Sequence, residues 1–161
     1  MSFPRVLIAY DGSPNSRTAV QAAAALFPGA EAVIFFARQP MEGLAAHLQG
    51  HPVLERLEDV DAALLDASEQ VAAEGAEFAR TLGLRAEPLV SSSVVSASEA
   101  IIAAAEERDS TLIVLGSRGR RGLAATVLGS TSANVLHHAT RPTLVIPSDV
   151  AAAARSGTPR G

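Results

Sequence analysis

Short apolar runs alternate along this chain with longer stretches whose apolar positions recur every three or four residues, a pattern of strands alternating with helices. Arg5 to Tyr10 is such a run, and it stops at Asp11-Gly12-Ser13-Pro14, which is turn and helix-start chemistry. Ser13 as N-cap, with Pro14 at the first helical position, predicts a helix over 14–27. Ala19, Val20, Ala23, Ala24 and Phe27 form its apolar face, and Pro28-Gly29 closes it. Ala32 to Ala37 is continuously apolar and rich in Val, Ile and Phe, so it reads as a second strand covered on both faces.

From Arg38 to about Val60 the periodicity is weak and is broken by Pro40, Gly43, Gly50 and Pro52, which predicts a long loop or a loosely helical excursion; long loops of this kind often serve as lids. Asp61 to Leu82 predicts an amphipathic helix burying Leu64, Leu65, Val71, Ala72, Phe78 and Leu82, with Gly83 as its stop. A third strand over Arg85 to Val90, a turn at Ser91-Ser92-Ser93 and a helix from Ala97 to Arg108 follow, with Ile101, Ile102 and Ala105 facing inward. Leu112 to Leu115 is the fourth strand, Thr131 to Ala139 the fourth helix, and Thr143 to Pro147 the fifth strand behind Arg141-Pro142. Beyond Ser148 no pattern remains, so residues 1–147 are expected to form the domain and 148–161 a flexible tail.

This alternation predicts a single-domain α/β fold: an open five-stranded parallel sheet with helices on both faces, Rossmann-like. Ligands of such sheets bind beyond the carboxyl ends of the strands at the topological switch point. Asp11 and Gly116 each close a strand, so they face one cleft if the first and fourth strands flank that point.

Composition narrows the function classes. A chain of 161 residues with 48% hydrophobic content suits one domain with a sizeable core. A net charge of −4, one Tyr and no Trp argue against a general nucleic-acid binder. No stretch approaches the ~20 apolar residues of a membrane span and no signal peptide is evident, so a cytoplasmic location and no membrane partner are expected. With no cysteine there are no disulfides and no thiolate catalysis. All 13 basic residues are arginine, which excludes the phosphate-loop lysine, a Schiff-base lysine and the kinase lysine.

Chemistry concentrates in Thr111 to Ser132, where Gly116, Gly119, Gly122 and Gly129 are joined by Arg118, Arg120 and Arg121 before a hydroxyl-rich helix start. Glycines let backbone N–H groups close on a ligand, arginine adds charge, and a helix N-terminus adds orphan donors and a positive dipole end. Phosphate is the expected guest, with Arg118 the one arginine expected to touch it. His47 and His51, spaced four apart, lack the further ligands of a metal site and read as solvent-exposed, while His137 and His138 read as structural. The serine triplet has neither a nucleophile elbow nor an identifiable base.

The segment Gly116-Ser117-Arg118-Gly119, then nine residues, then Gly129-Ser130, resembles the G-x2-G-x9-G-[ST] signature of the ATP-binding branch of the universal stress protein family. The opening VLIAYDGS and the closing RPTLVIP resemble that family's first and last strands, so the similarity covers most of the chain. The family's fold is like that of the adenine nucleotide alpha hydrolases. The resemblance implies phosphate binding by Gly116, Arg118, Gly119, Gly129, Ser130, Thr131 and Ser132. It implies a base and ribose pocket from Ala9, Tyr10, Asp11, Ala37 and Leu115. Ala37 stands where the family usually has a valine, which leaves a roomier base pocket. The cofactors implied are ATP and Mg²⁺, with Asp11 approaching the ribose or the nucleotide-bound metal. Asp11 also reads as a simple turn residue, and Ser130 as a helix N-cap.

The expected function is that of an ATP-binding regulatory protein of stress response with at most slow hydrolysis, a homodimer through the last strand, Thr143 to Ile146, signalling to an unidentified protein partner. An exposed edge strand supports that dimer physically. Two other readings remain open: an interaction module of the same fold that binds no nucleotide, and an ATP-using enzyme on this scaffold, for which a chain this short leaves little room.

Overall fold

The computed structural model describes residues 4–38, 49–93, 96–118 and 128–148. Nine elements follow one another: β1 (Arg5–Ala9), α1 (Pro14–Leu26), β2 (Glu31–Arg38), α2 (Val53–Thr81), β3 (Arg85–Ser92), α3 (Ala97–Glu107), β4 (Leu112–Gly116), α4 (Ser130–His138) and β5 (Thr143–Ile146). The five strands form one parallel sheet in the order β3-β2-β1-β4-β5. The order reverses at β1, which pairs with β2 on one side and β4 on the other, so the switch point lies between β1 and β4, and the condition under which Asp11 and Gly116 face one cleft is met.

Both faces of the sheet are covered, which is why its central strands read as unbroken apolar runs. Val6, Ile8, Tyr10, Ile34 and Val114 turn to one side and pack with Val20 and Ala23 of α1 and Ala76 and Ala79 of α2. Leu7, Val33, Phe35, Ile113 and Leu115 turn to the other and meet Ile101 and Ala105 of α3 and Val135 of α4. Serine caps start two of the helices: Ser13 Oγ accepts the Ser16 N–H and Ser96 Oγ accepts the Glu99 N–H, each at 3.2 Å.

Three expectations are corrected. The second helix begins at Val53, not near Asp61. Residues 53–60, VLERLEDV, are strong helix formers, but most of them are exposed, so they carry no one-sided apolar stripe for a periodicity reading to find. Within that helix Leu64, Leu65 and Leu82 are exposed, and the buried stripe is Ser68, Ala72, Gly75, Ala76 and Ala79. Small side chains there let α2 approach the sheet closely. Ser91 and Ser92 belong to β3 and not to a turn, because they continue the ladder opposite Ala37 and Arg38.

Arg38, at the carboxyl end of β2, ties the front of α2 to the sheet. Its Nη2 donates to the Asp61 backbone carbonyl at 3.0 Å and to the Asp61 carboxylate, with the arginine side chain 10% exposed. At the opposite pole Arg5, Glu31 and Arg85 sit in register on three adjacent strands and form a ladder of ion pairs. Among the described residues no helix is long and apolar enough to cross a membrane.

Candidate functional site

The carboxyl ends of β1 and β4 deliver the two segments that the sequence singles out. Asp11 follows β1 directly, and its Oδ1 accepts the Ser13 N–H at 2.9 Å. This Asx turn carries the chain into α1, so the turn role is real. Tyr10, the preceding residue, is turned away from the side on which Ala9, Ala37 and Leu115 pack. Its ring is 2% exposed beneath α1 and α2, and its hydroxyl donates to Glu74 Oε2 at 2.6 Å. Burial first, and the bond to Glu74 second, push its pKa up to about 12. Arg17 completes the cluster: it donates to Glu74, lies over the Phe78 ring at 4.0 Å, and its own pKa is raised chiefly by the bond to Glu74. The Tyr10 side chain therefore lies in the core, on the opposite side of the sheet from Ala9, Ala37 and Leu115.

Ala9 and Ala37 are half-buried at the ends of β1 and β2, and Leu115 is buried with them on the α3 and α4 side. Gly116 closes β4, Ser117 and Arg118 follow, and residues 119–127 lie outside the described residues. Gly119, Arg120, Arg121 and Gly122 fall there, as does His47 in the segment 39–48. The chain returns at Leu128 and Gly129 and enters α4 at Ser130.

The geometry divides the predicted phosphate donors into two groups. Gly129 donates its N–H to the Ser117 carbonyl at 2.8 Å. Ser132, 2% exposed, points its hydroxyl at the same carbonyl at 3.2 Å and at the Gly129 carbonyl at 2.9 Å. Those two groups are engaged in closing the loop on itself. The N-terminus of α4, by contrast, has no capping side chain, and Ser130 is exposed and Thr131 half-buried there. Among the described residues nothing takes up the orphan N–H groups at this point, where the positive end of the helix dipole lies. Arg118 stands beside it: its side-chain Nε is buried with no hydrogen-bond partner among the described residues. A buried guanidinium N–H without an acceptor is costly unless an anion supplies one.

Sequence reasoning missed the residue that assembles these parts. Asn15, 6% exposed in the first turn of α1, accepts the Arg118 N–H at 2.8 Å and the Ser117 hydroxyl at 3.3 Å on Oδ1, and donates from Nδ2 to the Ile146 carbonyl at 3.2 Å. The available signal was its position: Asn15 shares the helix face of Ala19 and Ala23, and a polar residue on a buried stripe needs partners.

His51 Nδ1 accepts the Val53 N–H at 3.2 Å at the start of α2, and His137 and His138 are exposed in the last turn of α4. Among the described residues no group of three or more His, Asp or Glu side chains is placed to hold a metal ion. Any divalent ion here would rely on ligand phosphates in addition to Asp11.

No curated protein matches this chain. Solved structures do. The hypothetical protein MJ0577 superposes with a TM-score of 0.73 at 18% identity, over 91% of this chain and 96% of that one. The universal stress protein from Archaeoglobus fulgidus in complex with dAMP gives 0.60 at 18% identity, over 89% and 97%. A universal stress protein in complex with cAMP gives 0.56 at 23% identity, over 92% and 100%. At these identities the likeness concerns the fold. A model of the Universal stress protein family matches residues 2–147, and the chain belongs to that family.

Proposed function

We propose that this chain is a nucleotide-binding regulatory protein that takes ATP, with Mg²⁺ brought by the nucleotide, at the switch point between β1 and β4. The observation that carries the reading is Arg118, whose buried Nε lacks an acceptor among the described residues, beside an N-terminus of α4 that no described side chain caps. A polyanion supplies both deficits at once. In this reading Arg118 and the N-terminal N–H groups of Ser130, Thr131 and Ser132 hold phosphates, with Gly119 completing the signature. Gly116 and Gly129 shape the loop. Ala9, Ala37 and Leu115 back the base, and Asp11 approaches the ribose or the metal ion. Two relatives crystallised with dAMP and cAMP support an adenine nucleotide in particular.

The output is binding and signalling, with at most slow hydrolysis; among the described residues none at this site is arranged as a base for water. β5 is one of the two edge strands of the sheet and is half-buried throughout, which suits pairing with a second copy across a twofold axis.

Thermal unfolding with and without MgATP tests the reading, with GTP and AMP as controls and Ser130→Glu as the variant. A carboxylate in the first turn of α4 favours the helix dipole but repels phosphate, so the fold and the ligand respond with opposite signs. At about 100 times its dissociation constant MgATP adds about 2.7 kcal/mol to the wild type. The reading requires that shift in the wild type and its loss in a variant at least as stable without ligand. No shift with any nucleotide moves the conclusion to an interaction module of the same fold.

A further inference from the structure

Three segments remote in sequence meet at one carboxamide. Asn15 Oδ1 accepts from the backbone of Arg118 and the hydroxyl of Ser117, and Nδ2 donates to Ile146 at the end of β5. The Ile146 carbonyl also accepts the Ser117 N–H at 2.8 Å, so the turn out of β4 is held from both sides. Gly116 is part of the same construction. A Cβ there would stand 2.7 Å from Asn15 Cγ and 2.9 Å from each of its terminal atoms. Gly116 is not among the glycines with positive φ, so what its position demands is room for the amide, not an unusual backbone.

We propose that Asn15 is the positioning residue of the ligand loop: it fixes the backbone of Arg118 before any ligand arrives, and it is the reason the first glycine of the signature has no side chain. This rests on the reading of the loop as a nucleotide site. No other side chain serves as well. An aspartate keeps the acceptor for Arg118 but loses the donor to Ile146 and sets a negative charge beside the phosphates. An alanine leaves the Arg118 N–H and the Ser117 hydroxyl buried without this acceptor, and the loop must then be ordered at the expense of ligand affinity. Asn15 acts through Arg118 and makes no contact with nucleotide itself.

The test compares Asn15→Ala and Asn15→Asp with the wild type in two measurements. One is amide hydrogen exchange at Arg118 in the ligand-free protein; the other is calorimetric titration with MgATP. The Arg118 amide is expected to be protected in the wild type and in N15D, which retains the acceptor, and to exchange freely in N15A. The dissociation constant for MgATP is expected to rise at least tenfold in N15A. If N15A loses its cooperative melt, Asn15→Ser, whose hydroxyl is too short to reach Arg118, carries the same comparison. Full affinity in the truncated variant, or an Arg118 amide still protected there, overturns the proposal and leaves the nucleotide reading standing. Wild-type protein that takes up no nucleotide overturns the reading itself.

Discussion

A Cβ on Gly75 would stand 2.6 Å from both Cδ1 and Cε1 of Tyr10, so the phenol ring lies in a notch that α2 opens for it. Two effects compete in Gly75→Ala. Alanine gains about 1 kcal/mol of helix propensity, whereas overpacking against a buried ring, with Ile34 Cγ2 also 2.9 Å away, costs about 1–3 kcal/mol. Packing should win, with a net loss of up to about 2 kcal/mol. A lower urea midpoint at unchanged slope is the expected result; a midpoint at or above that of the wild type would show that the ring yields.

Tyr10 is the chain's only tyrosine, and there is no tryptophan and no lysine, so alkaline titration of this protein is simple to follow. The folded pKa, about 12, lies above the ordinary value of 10.0, so the folded chain holds the phenolic proton more tightly than the unfolded chain does. The resulting stabilisation is fully present below pH 10 and is lost as the pH rises to about 12. A shift of that size corresponds to about 2–3 kcal/mol. The tyrosinate absorbance band should emerge only near the upper end of this window, and Tyr10→Phe should remove this component of the alkaline loss. A band emerging at the ordinary value in folded protein would contradict the buried placement.

Gly116 and Asn15 should be energetically coupled. Gly116→Ala alone is expected to cost about 1–3 kcal/mol through the clash with the amide, and less than about 1 kcal/mol where Asn15 is already alanine. A double-mutant cycle by chemical denaturation reads the difference. Simple additivity would mean that the glycine answers to something other than Asn15.

Arg118→Ala separates ligand from fold. Its Nε has no partner among the described residues, so truncation should leave the unliganded melting temperature within a degree or two of the wild type. The affinity for MgATP should fall by about ten- to a hundredfold, the value of one charge-assisted hydrogen bond. Unchanged affinity by calorimetry would remove Arg118 from the site.

Asp61→Ala should loosen the front of α2. Arg38 keeps its bond to the residue-61 backbone but loses the carboxylate, and a largely buried guanidinium deprived of its counter-ion costs about 2–3 kcal/mol at a partly exposed pair. The turns before residue 61 bury little, so accelerated amide exchange confined to them is the expected signature.

The order of strands and helices was legible because a doubly covered parallel sheet leaves a plain trace: apolar runs at β1, β2 and β4 separated by amphipathic stretches. The cleft followed from it, since Asp11 and Gly116 stand at the ends of strands that prove adjacent. What was not legible depends on direction and distance. Tyr10 and Ala9 are neighbours in sequence yet face opposite layers, and only the register of β1 decides which side the ring takes. Gly129 and Ser132 read as donors for a ligand because nothing in a motif says that the Ser117 carbonyl will claim them first. Residues 53–60 escaped because helix propensity without one-sided burial leaves no period to detect.

The bonds of Asn15 also set a schedule. Its partners lie 103 residues away at Arg118 and 131 residues away at Ile146. During synthesis the amide emerges from the ribosome long before the last carbonyl it needs. Until β5 has docked, the loop lacks one of its walls, and a nascent or C-terminally truncated chain has no finished cradle for an anion. On the proposed reading, competence for ligand is a property of the completed fold, and a protease that clips β5 would silence the site without touching a residue of the loop.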